Sequence, residues 1–372
     1  MRVALFTESY HPIVNGVVAS IDALRDGLRA RGVDVTIVAP HFPHAHDERD
    51  DVVRVPSLPL PTPTAYRLCV PFLSASERRR LLGVDVVHAH SPFVTGWMAA
   101  SFARRRGVPL VFTYHTRLDA YAHYAPFDRT TTERAMIELT RRYANAADAV
   151  VAPTRAMETR LRDVGVRARI AVVPSAIDIE RFAGGVRSVP LRARLGASNG
   201  ETIVLVVSRL GAEKNLDLAL DAMHALPGAV LAIVGDGPQR GHLEARARRA
   251  GLANRVCFTG AIARDELPGV YASADVFVLP STTETQGLVL LEALAAGLPV
   301  VAADSPASRD VLGEAGRIVA AEPAALAAGI LAASTAARDQ SAVRLALSRS
   351  TVEVHARRML DLYREVLAAR AA

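Results

Sequence analysis

The chain has 372 residues, half of them hydrophobic, which is too long for one ordinary α/β domain, enough for two cores, and unlike a disordered segment. Two cysteines, Cys69 and Cys257, exclude a disulfide framework and favour a reducing compartment, and no stretch approaches the ~18 apolar residues of a membrane span. The net charge of +6 is uneven: residues 1–185 carry 24 Arg against 19 carboxylates, a net +5, which suits an anionic partner such as lipid head groups or nucleic acid.

The apolar run at Met1–Phe6 is too short for a signal peptide and reads as a first strand, Val3–Phe6. A cytoplasmic protein is expected, or one held peripherally on the inner face of the membrane. Asn15-Gly16 follows the strand and precedes a helix over Val17–Arg31. Gly16 could present backbone N–H groups to a phosphate; a helix cap at Asn15 explains the segment equally well. A strand over Val33–Ala39 leads into a polar loop with His41, His44 and His46. Pro56–Pro71 holds five prolines (Pro56, Pro59, Pro61, Pro63 and Pro71) and reads as a loop or irregular connection. Next, Arg78, Arg79 and Arg80 stand beside Leu73, Leu81 and Leu82. They form either a short amphipathic helix for an anionic membrane or a solvated face.

Further strands are expected at Val84–His88, Pro109–Thr113, Ala149–Ala152 and Ile170–Val173, with a helix at Thr132–Ala146. Arg104–Arg106 suits a helix end. His88-Ala-His90 has ligand-like spacing, but no Cys or acidic cluster accompanies it, so no metal site is expected. A linker at Ile179–Gly200 separates a second series of strands: Thr202–Val207, Val230–Val234, Val256–Thr259, Val276–Leu279 and Val300–Ala303. The strands are apolar and little alternating, as in parallel sheets buried on both faces. The expected architecture is α/β, with two tandem doubly wound Rossmann-like domains at 1–180 and 181–350. Ligands bind such folds at the carboxyl edges of the sheets, here in a cleft between the two. A last amphipathic helix, Val352–Ala369, would cross back onto the first domain within 351–372.

Two constellations carry chemistry. In Pro280-Ser-Thr-Thr-Glu284-Thr-Gln-Gly287-Leu-Val-Leu-Leu-Glu292, a loop carries Glu284 and a helix starting near Gly287 carries Glu292. Free N–H groups at the helix start favour a phosphate, and the two carboxylates could hold polyol groups on either side of it. A Glu favoured by the helix dipole and an unrelated helix-face Glu would give the same pattern. In Ser208-Arg209-Leu-Gly211-Ala-Glu-Lys214-Asn215, Arg209 and Lys214 could neutralise two phosphates, or sit in a solvated basic turn. Of 44 basic residues, Lys214 alone is a lysine. Neither Asn15-Gly16 nor Gly235-Asp-Gly237-Pro-Gln-Arg-Gly241 matches Gly-x-Gly-x-x-Gly, which disfavours a nicotinamide dinucleotide.

Taken together, Thr7–Val17, Thr113–Thr116, Arg209–Lys214, Val234–Pro238 and the Glu-x₇-Glu element at Glu284–Glu292 resemble family 4 of the retaining glycosyltransferases, which have the GT-B fold. The resemblance implies that Glu284 contacts the donor sugar and Glu292 the nucleotide ribose. Gly287, Leu288 and Val289 would approach sugar and phosphates, Arg209 and Lys214 the diphosphate, and Asn15-Gly16 the phosphate. It also places His115 near the transferred sugar; by itself that residue reads equally as a structural histidine. Departures are Glu284-Thr-Gln-Gly287 for the commoner Glu-Gly-Phe-Gly, Asn15-Gly16 for a double Gly, and Ala176 for an interdomain Gly. The first departure, with Tyr114-His-Thr-Arg-Leu-Asp-Ala-Tyr121, resembles the branch that glycosylates diacylglycerol. The resemblance implies same-face substitution, in which the leaving phosphate takes the acceptor's proton. The expected partners are a nucleotide-diphosphate sugar such as UDP-glucose, a lipid or glycolipid acceptor and an anionic membrane surface; no nucleic acid, cofactor or metal is expected. Alternatives are a GDP-mannose-dependent mannosyltransferase acting on a glycolipid or soluble acceptor, a GT-B nucleotide-sugar epimerase, and a non-catalytic lipid- or sugar-binding protein.

Overall fold

The computed structural model describes residues 1–43, 50–59, 66–125, 127–198 and 200–371. His44, His46, Pro61, Pro63, Asn199 and Ala372 lie outside the described residues. The chain forms two compact units, one of Met1–Ala176 with Val352–Ala372, the other of Ile177–Thr351.

The first unit holds β1 (Arg2–Phe6), β2 (Asp34–Pro40), β3 (Val52–Val55), β4 (Ser57–Pro59), β5 (Arg67–Cys69), β6 (Val86–Ala89), β7 (Leu110–Thr113), β8 (Ala149–Ala152) and β9 (Arg169–Val172). Seven of them make a parallel sheet in the order β3-β2-β1-β6-β7-β8-β9. Alternate side chains enter opposite cores. Ala4 and Phe6 join Val87, Phe112 and Val150 on one face, while Val3 and Leu5 join Val86, Val111 and Val151 on the other. Burial on both faces is why these strands read as unbroken apolar runs.

The helices Gly16–Arg29 and Val352–Ala371 cover the second of those faces with Val18, Ile21, Leu24, Leu28, Met359, Leu362, Tyr363 and Val366. Gly27 sets how closely these two helices approach, because a Cβ there would stand 2.7 Å from Ala356 Cβ. The expected return of the last helix onto the first unit is therefore observed.

β4 and β5 pair antiparallel, Leu58 opposite Leu68, so the Pro56–Pro71 segment is in part a hairpin and not simply a loop. Each strand has three residues, too few for a legible alternation.

The second unit holds β10 (Thr202–Val207), β11 (Ala229–Val234), β12 (Val256–Gly260), β13 (Val276–Leu279), β14 (Val300–Ala303) and β15 (Arg317–Val319). They form a parallel sheet in the order β12-β11-β10-β13-β14-β15. Ile179–Gly200 is not a linker: it contains the helices Ile179–Ala183 and Val189–Arg194. Phe182 and Leu195 are fully buried in the core of the second unit. Arg192 also donates to Asp275 Oδ2 at 3.0 Å. Helices of five and six residues are too short to display a 3.6-residue period.

Candidate active site

In the second sheet the strand order reverses between β10 and β13, with β11 and β12 on one side and β14 and β15 on the other. The helices that follow these two strands consequently pack on opposite faces: Leu216–Ala222 enters one core and Leu288–Ala295 the other. Such a reversal opens a crevice at the carboxyl ends of the strands, where doubly wound folds bind ligands. The loops after β10 and β13 are those that carry Arg209, Lys214, Glu284 and Gly287.

Backbone bonds and glycines lock these loops together. Leu210 N donates to Asp236 O at 2.9 Å, and Gln239 N donates to Leu210 O at 3.0 Å, tying the β10 loop to the one after β11. Only glycine fits the junction: a Cβ at Gly235 would lie 1.9 Å from Ser208 O, and one at Gly237 2.5 Å from Leu210 O. On the other side, Thr283 Oγ1 donates to Glu213 O at 3.0 Å and Asn215 Nδ2 donates to Pro280 O at 3.2 Å.

The ionised side chains are paired. Lys214 Nζ donates to Glu284 Oε1 at 2.6 Å, although 70 residues separate them in the chain. Arg209 Nη2 donates to Glu213 Oε1 at 2.6 Å, and the Glu213 side chain is 1% exposed. A solvated turn does not describe a lysine and a glutamate whose side chains are 18% and 14% exposed. Burial pushes the Glu284 carboxyl up, but the Lys214 ammonium and the hydrogen bonds from Lys214 and Ser281 bring it below its ordinary value.

Glu292 lies on the Leu288–Ala295 helix, and its Oε2 accepts from the Tyr271 hydroxyl at 2.8 Å. Here burial wins: the carboxyl is pushed above its ordinary value, against the Tyr271 bond and the charges of Arg264 and Arg181. Gly287 begins the helix at φ +78° with no side-chain cap. The first-turn amides, including those of Leu288 and Val289, therefore lie at the positive end of the helix dipole.

In the first unit Gly16 is the first residue of its helix. Asn15 Oδ1 accepts from Val18 N at 2.9 Å, and its amide nitrogen donates to Ser9 Oγ at 2.8 Å. The cap therefore accounts for the Asn15 side chain. His115 follows β7 and shares a 2.8 Å hydrogen bond between its Nε2 and His90 Nδ1, the rings stacked 5.1 Å apart. His88 bonds Tyr363 Oη at 2.7 Å and Thr113 Oγ1 at 2.6 Å. His355 bonds the Pro174 carbonyl at 2.7 Å. Burial lowers all four imidazoles, His115 to about 3 and His355 to about 4, so the group is neutral. Among the described residues no group of three His, Cys, Asp or Glu side chains is arranged to hold a metal ion.

Arg78, Arg79 and Arg80 end the short helix Ala75–Arg80, whose start is closed by a Ser74–Glu77 capping box. The three arginines are exposed. Arg80 is tied down, however, donating to Val52 O at 2.9 Å and to Asp50 O. Leu81 is 1% exposed and enters the core with Ala4 and Phe6, so it is not available to a membrane; Leu82 is exposed. Phe72, Leu68 and Leu58 on and beside the hairpin are exposed apolar residues that sequence reading passed over. It also passed over Glu213 and Tyr271. The i, i+4 spacing from Arg209 was a signal for Glu213; nothing in the local sequence pointed to Tyr271. No helix among the described residues is long and apolar enough to cross a membrane.

The family model described as Glycosyltransferase Family 4 matches residues 14–181, and that described as Glycosyl transferases group 1 matches residues 190–344. Alpha-monoglucosyldiacylglycerol synthase of Streptococcus pneumoniae is 32% identical over 82% of this chain and 72% of its own. A GDP-mannose-dependent alpha-mannosyltransferase of Mycobacterium tuberculosis is 36% identical over 84% and 81% respectively. Sucrose-phosphate synthase from Thermosynechococcus elongatus superposes with a TM-score of 0.79 at 23% identity over 99% of both chains, a likeness of fold.

Proposed function

The chain belongs to glycosyltransferase family 4, with the GT-B fold, and from that premise we propose that it is a retaining hexosyltransferase carrying glucose from UDP-glucose to a lipid acceptor such as diacylglycerol. The observation that carries this reading is the 2.6 Å Lys214–Glu284 contact next to the uncapped Gly287 helix start. It brings together a cation for phosphate, a carboxylate for sugar hydroxyls and a row of backbone donors. Arg209 and Lys214 bind the diphosphate, and Leu288 and Val289 offer it amides. Glu284 holds the sugar, Glu292 the ribose, and Gly16 assists at the phosphate. Neutral His115 serves the transferred sugar as a hydrogen-bonding group. As the glycosidic bond breaks, negative charge grows on the leaving phosphate, where preorganised cations and amides act without reorganisation. The leaving phosphate takes the acceptor's proton on the same face.

The lipid acceptor rests on the Streptococcus pneumoniae relative and on the Thr283-Glu-Thr-Gln-Gly287 segment. Arg78 and Arg79 meet an anionic membrane surface. A second reading, mannosyl transfer from GDP-mannose, is favoured by the 36% identity to the mycobacterial enzyme. The test is a panel of UDP- and GDP-sugars against diacylglycerol liposomes, with products identified by mass spectrometry. A glucosyl lipid supports the first reading and a mannosyl product the second; donor conversion without acceptor turns the protein into an epimerase or hydrolase. Turnover is expected to survive chelation, because Arg209 and Lys214 supply the positive charge; a loss restored by Mg²⁺ or Mn²⁺ refutes that.

A further inference from the structure

Tyr271 is fully buried on the helix Leu267–Ser273. Its ring stands edge-on to Phe182, with centroids 5.5 Å apart at 81°, and 5.7 Å from Phe277. These aromatic contacts leave the phenol no freedom, so its hydroxyl is fixed where it donates to Glu292 Oε2. An ionised carboxylate only accepts hydrogen bonds, through two oxygens. With Oε2 bound to Tyr271, Oε1 is the oxygen left to receive a ligand, and the carboxylate plane is set by the protein rather than by the ligand.

A cis-diol presents two O–H donors and is best met by an acceptor held in one orientation before it arrives. We infer that Tyr271 is a positioning residue for the ribose diol of a nucleoside diphosphate, acting by fixing the orientation of Glu292. The inference rests on reading Glu292 as the ribose ligand. Electrostatics point the same way. Burial pushes the Glu292 carboxyl up, and the groups that oppose it are the Tyr271 hydroxyl and the Arg264 and Arg181 charges. Without the hydroxyl, burial is opposed by the two arginines alone. The carboxyl then takes up a proton at higher pH and loses its acceptor-only character.

The experiment is calorimetric binding of UDP and GDP, and of the 2′,3′-dideoxy form of whichever binds, between pH 5.5 and 8. Wild type and Tyr271→Phe are compared, with thermal melting to confirm folding. Wild type is expected to lose at least tenfold in affinity when the ribose hydroxyls are removed. Tyr271→Phe is expected to bind the ribonucleotide about tenfold more weakly, to lose most of that discrimination, and to weaken further as pH falls. A wild type indifferent to the hydroxyls overturns the reading of Glu292 itself, and the inference with it. A Tyr271→Phe protein that discriminates as well as wild type at every pH overturns the inference and leaves Glu292 in place. Should Tyr271→Phe not fold, Glu292→Gln carries the test. A fixed Tyr271 hydroxyl would bond the amide oxygen and turn the NH₂ toward the ribose, so that the diol loses its acceptor and the discrimination falls; discrimination as large as that of wild type overturns the inference.

Discussion

Two polar clusters, one in each unit, are satisfied in different ways. In the first unit His88, His90 and His355 are buried and His115 is half-buried; all four are neutral and hydrogen-bonded to one another, to hydroxyls or to a carbonyl. In the second unit buried Glu213 is paired with Arg209, and half-buried Lys214 with Glu284, each pair at 2.6 Å. Glu292 falls between: its partner is a hydroxyl, and burial prevails over it. For Glu284 the Lys214 charge and the hydrogen bonds together overcome desolvation, whereas for Glu292 the single Tyr271 hydrogen bond does not. The same βα scaffold thus carries a neutral histidine cluster in one unit and a cluster of paired charges in the other.

The largest effect should come from acid. The four imidazoles stay neutral in the fold, while in the unfolded chain they take up protons below their ordinary value near 6.5. Stability is therefore fully present above about pH 6.5 and is lost as pH falls toward about 4. The His355 shift, from 6.5 to about 4, alone corresponds to roughly 3 kcal/mol. Glu8 and Glu292, whose carboxyls burial pushes up, oppose this in part. Denaturant titrations between pH 7.5 and 4.5 read the slope. A flat profile would break the contrast between a neutral histidine cluster and a cluster of paired charges.

The charged half is tested by Lys214→Ala and Arg209→Ala. A charge-assisted bond contributes ~1.5–3 kcal/mol, so kcat/KM for donor should drop about 10- to 150-fold in each variant while the fold persists. Lys214→Ala should also release the Glu284 carboxyl upward, giving an acid-side loss of donor binding absent from wild type. Unchanged kcat/KM would remove both residues from the site.

Away from its histidine cluster the first unit displays exposed cations, and here the expected effect is intermediate. Replacing Arg78 and Arg79 with Ala should weaken flotation with anionic vesicles by about 2 kcal/mol, at ~1 kcal/mol per basic residue near such a surface. Arg80→Ala should matter more for folding, since its guanidinium bonds two backbone carbonyls. Equal flotation of wild type and the Arg78/Arg79 variant at every lipid composition would exclude the segment.

The smallest effect separates a cap from a ligand contact. Asn15→Ala should cost about 1 kcal/mol of stability through loss of the bond from Val18 N. Asn15→Asp keeps that acceptor, and the Ser9 hydroxyl can turn to donate to it, so it should lose less stability than Asn15→Ala; if its donor KM nonetheless rises more than that of Asn15→Ala, the Asn15 side chain touches the donor as well as the helix.

The central strands and the four charged residues of the second unit were legible because their signals are local. An unbroken Val/Ile/Ala run can hardly lie anywhere but between two helical layers, and Glu284 to Glu292 is one contiguous motif. What stayed hidden is decided by partners far away in the chain. Arg317–Val319 is a three-residue edge strand whose exposed Arg317 looks unlike a strand until β14 is beside it. Leu81 reads as the apolar side of a membrane helix until the first core closes over it. Tyr271 stands 21 residues from the carboxylate it bonds, and its own neighbours announce nothing.

The helix Val352–Ala371 has a consequence for the order in which the molecule is made. It covers Leu5, Val86 and Val111 and bonds His88 through Tyr363, so the first unit is completed only by residues that follow the whole second unit in the chain. Between Ala176 and Val352 lie the 175 residues of the second unit. At ~5–20 residues per second, their synthesis leaves one face of the earlier sheet uncovered for about 9–35 s. The unit that emerges first is thereby the one completed last, and a nascent chain stalled short of residue 352 should offer that apolar face to chaperones.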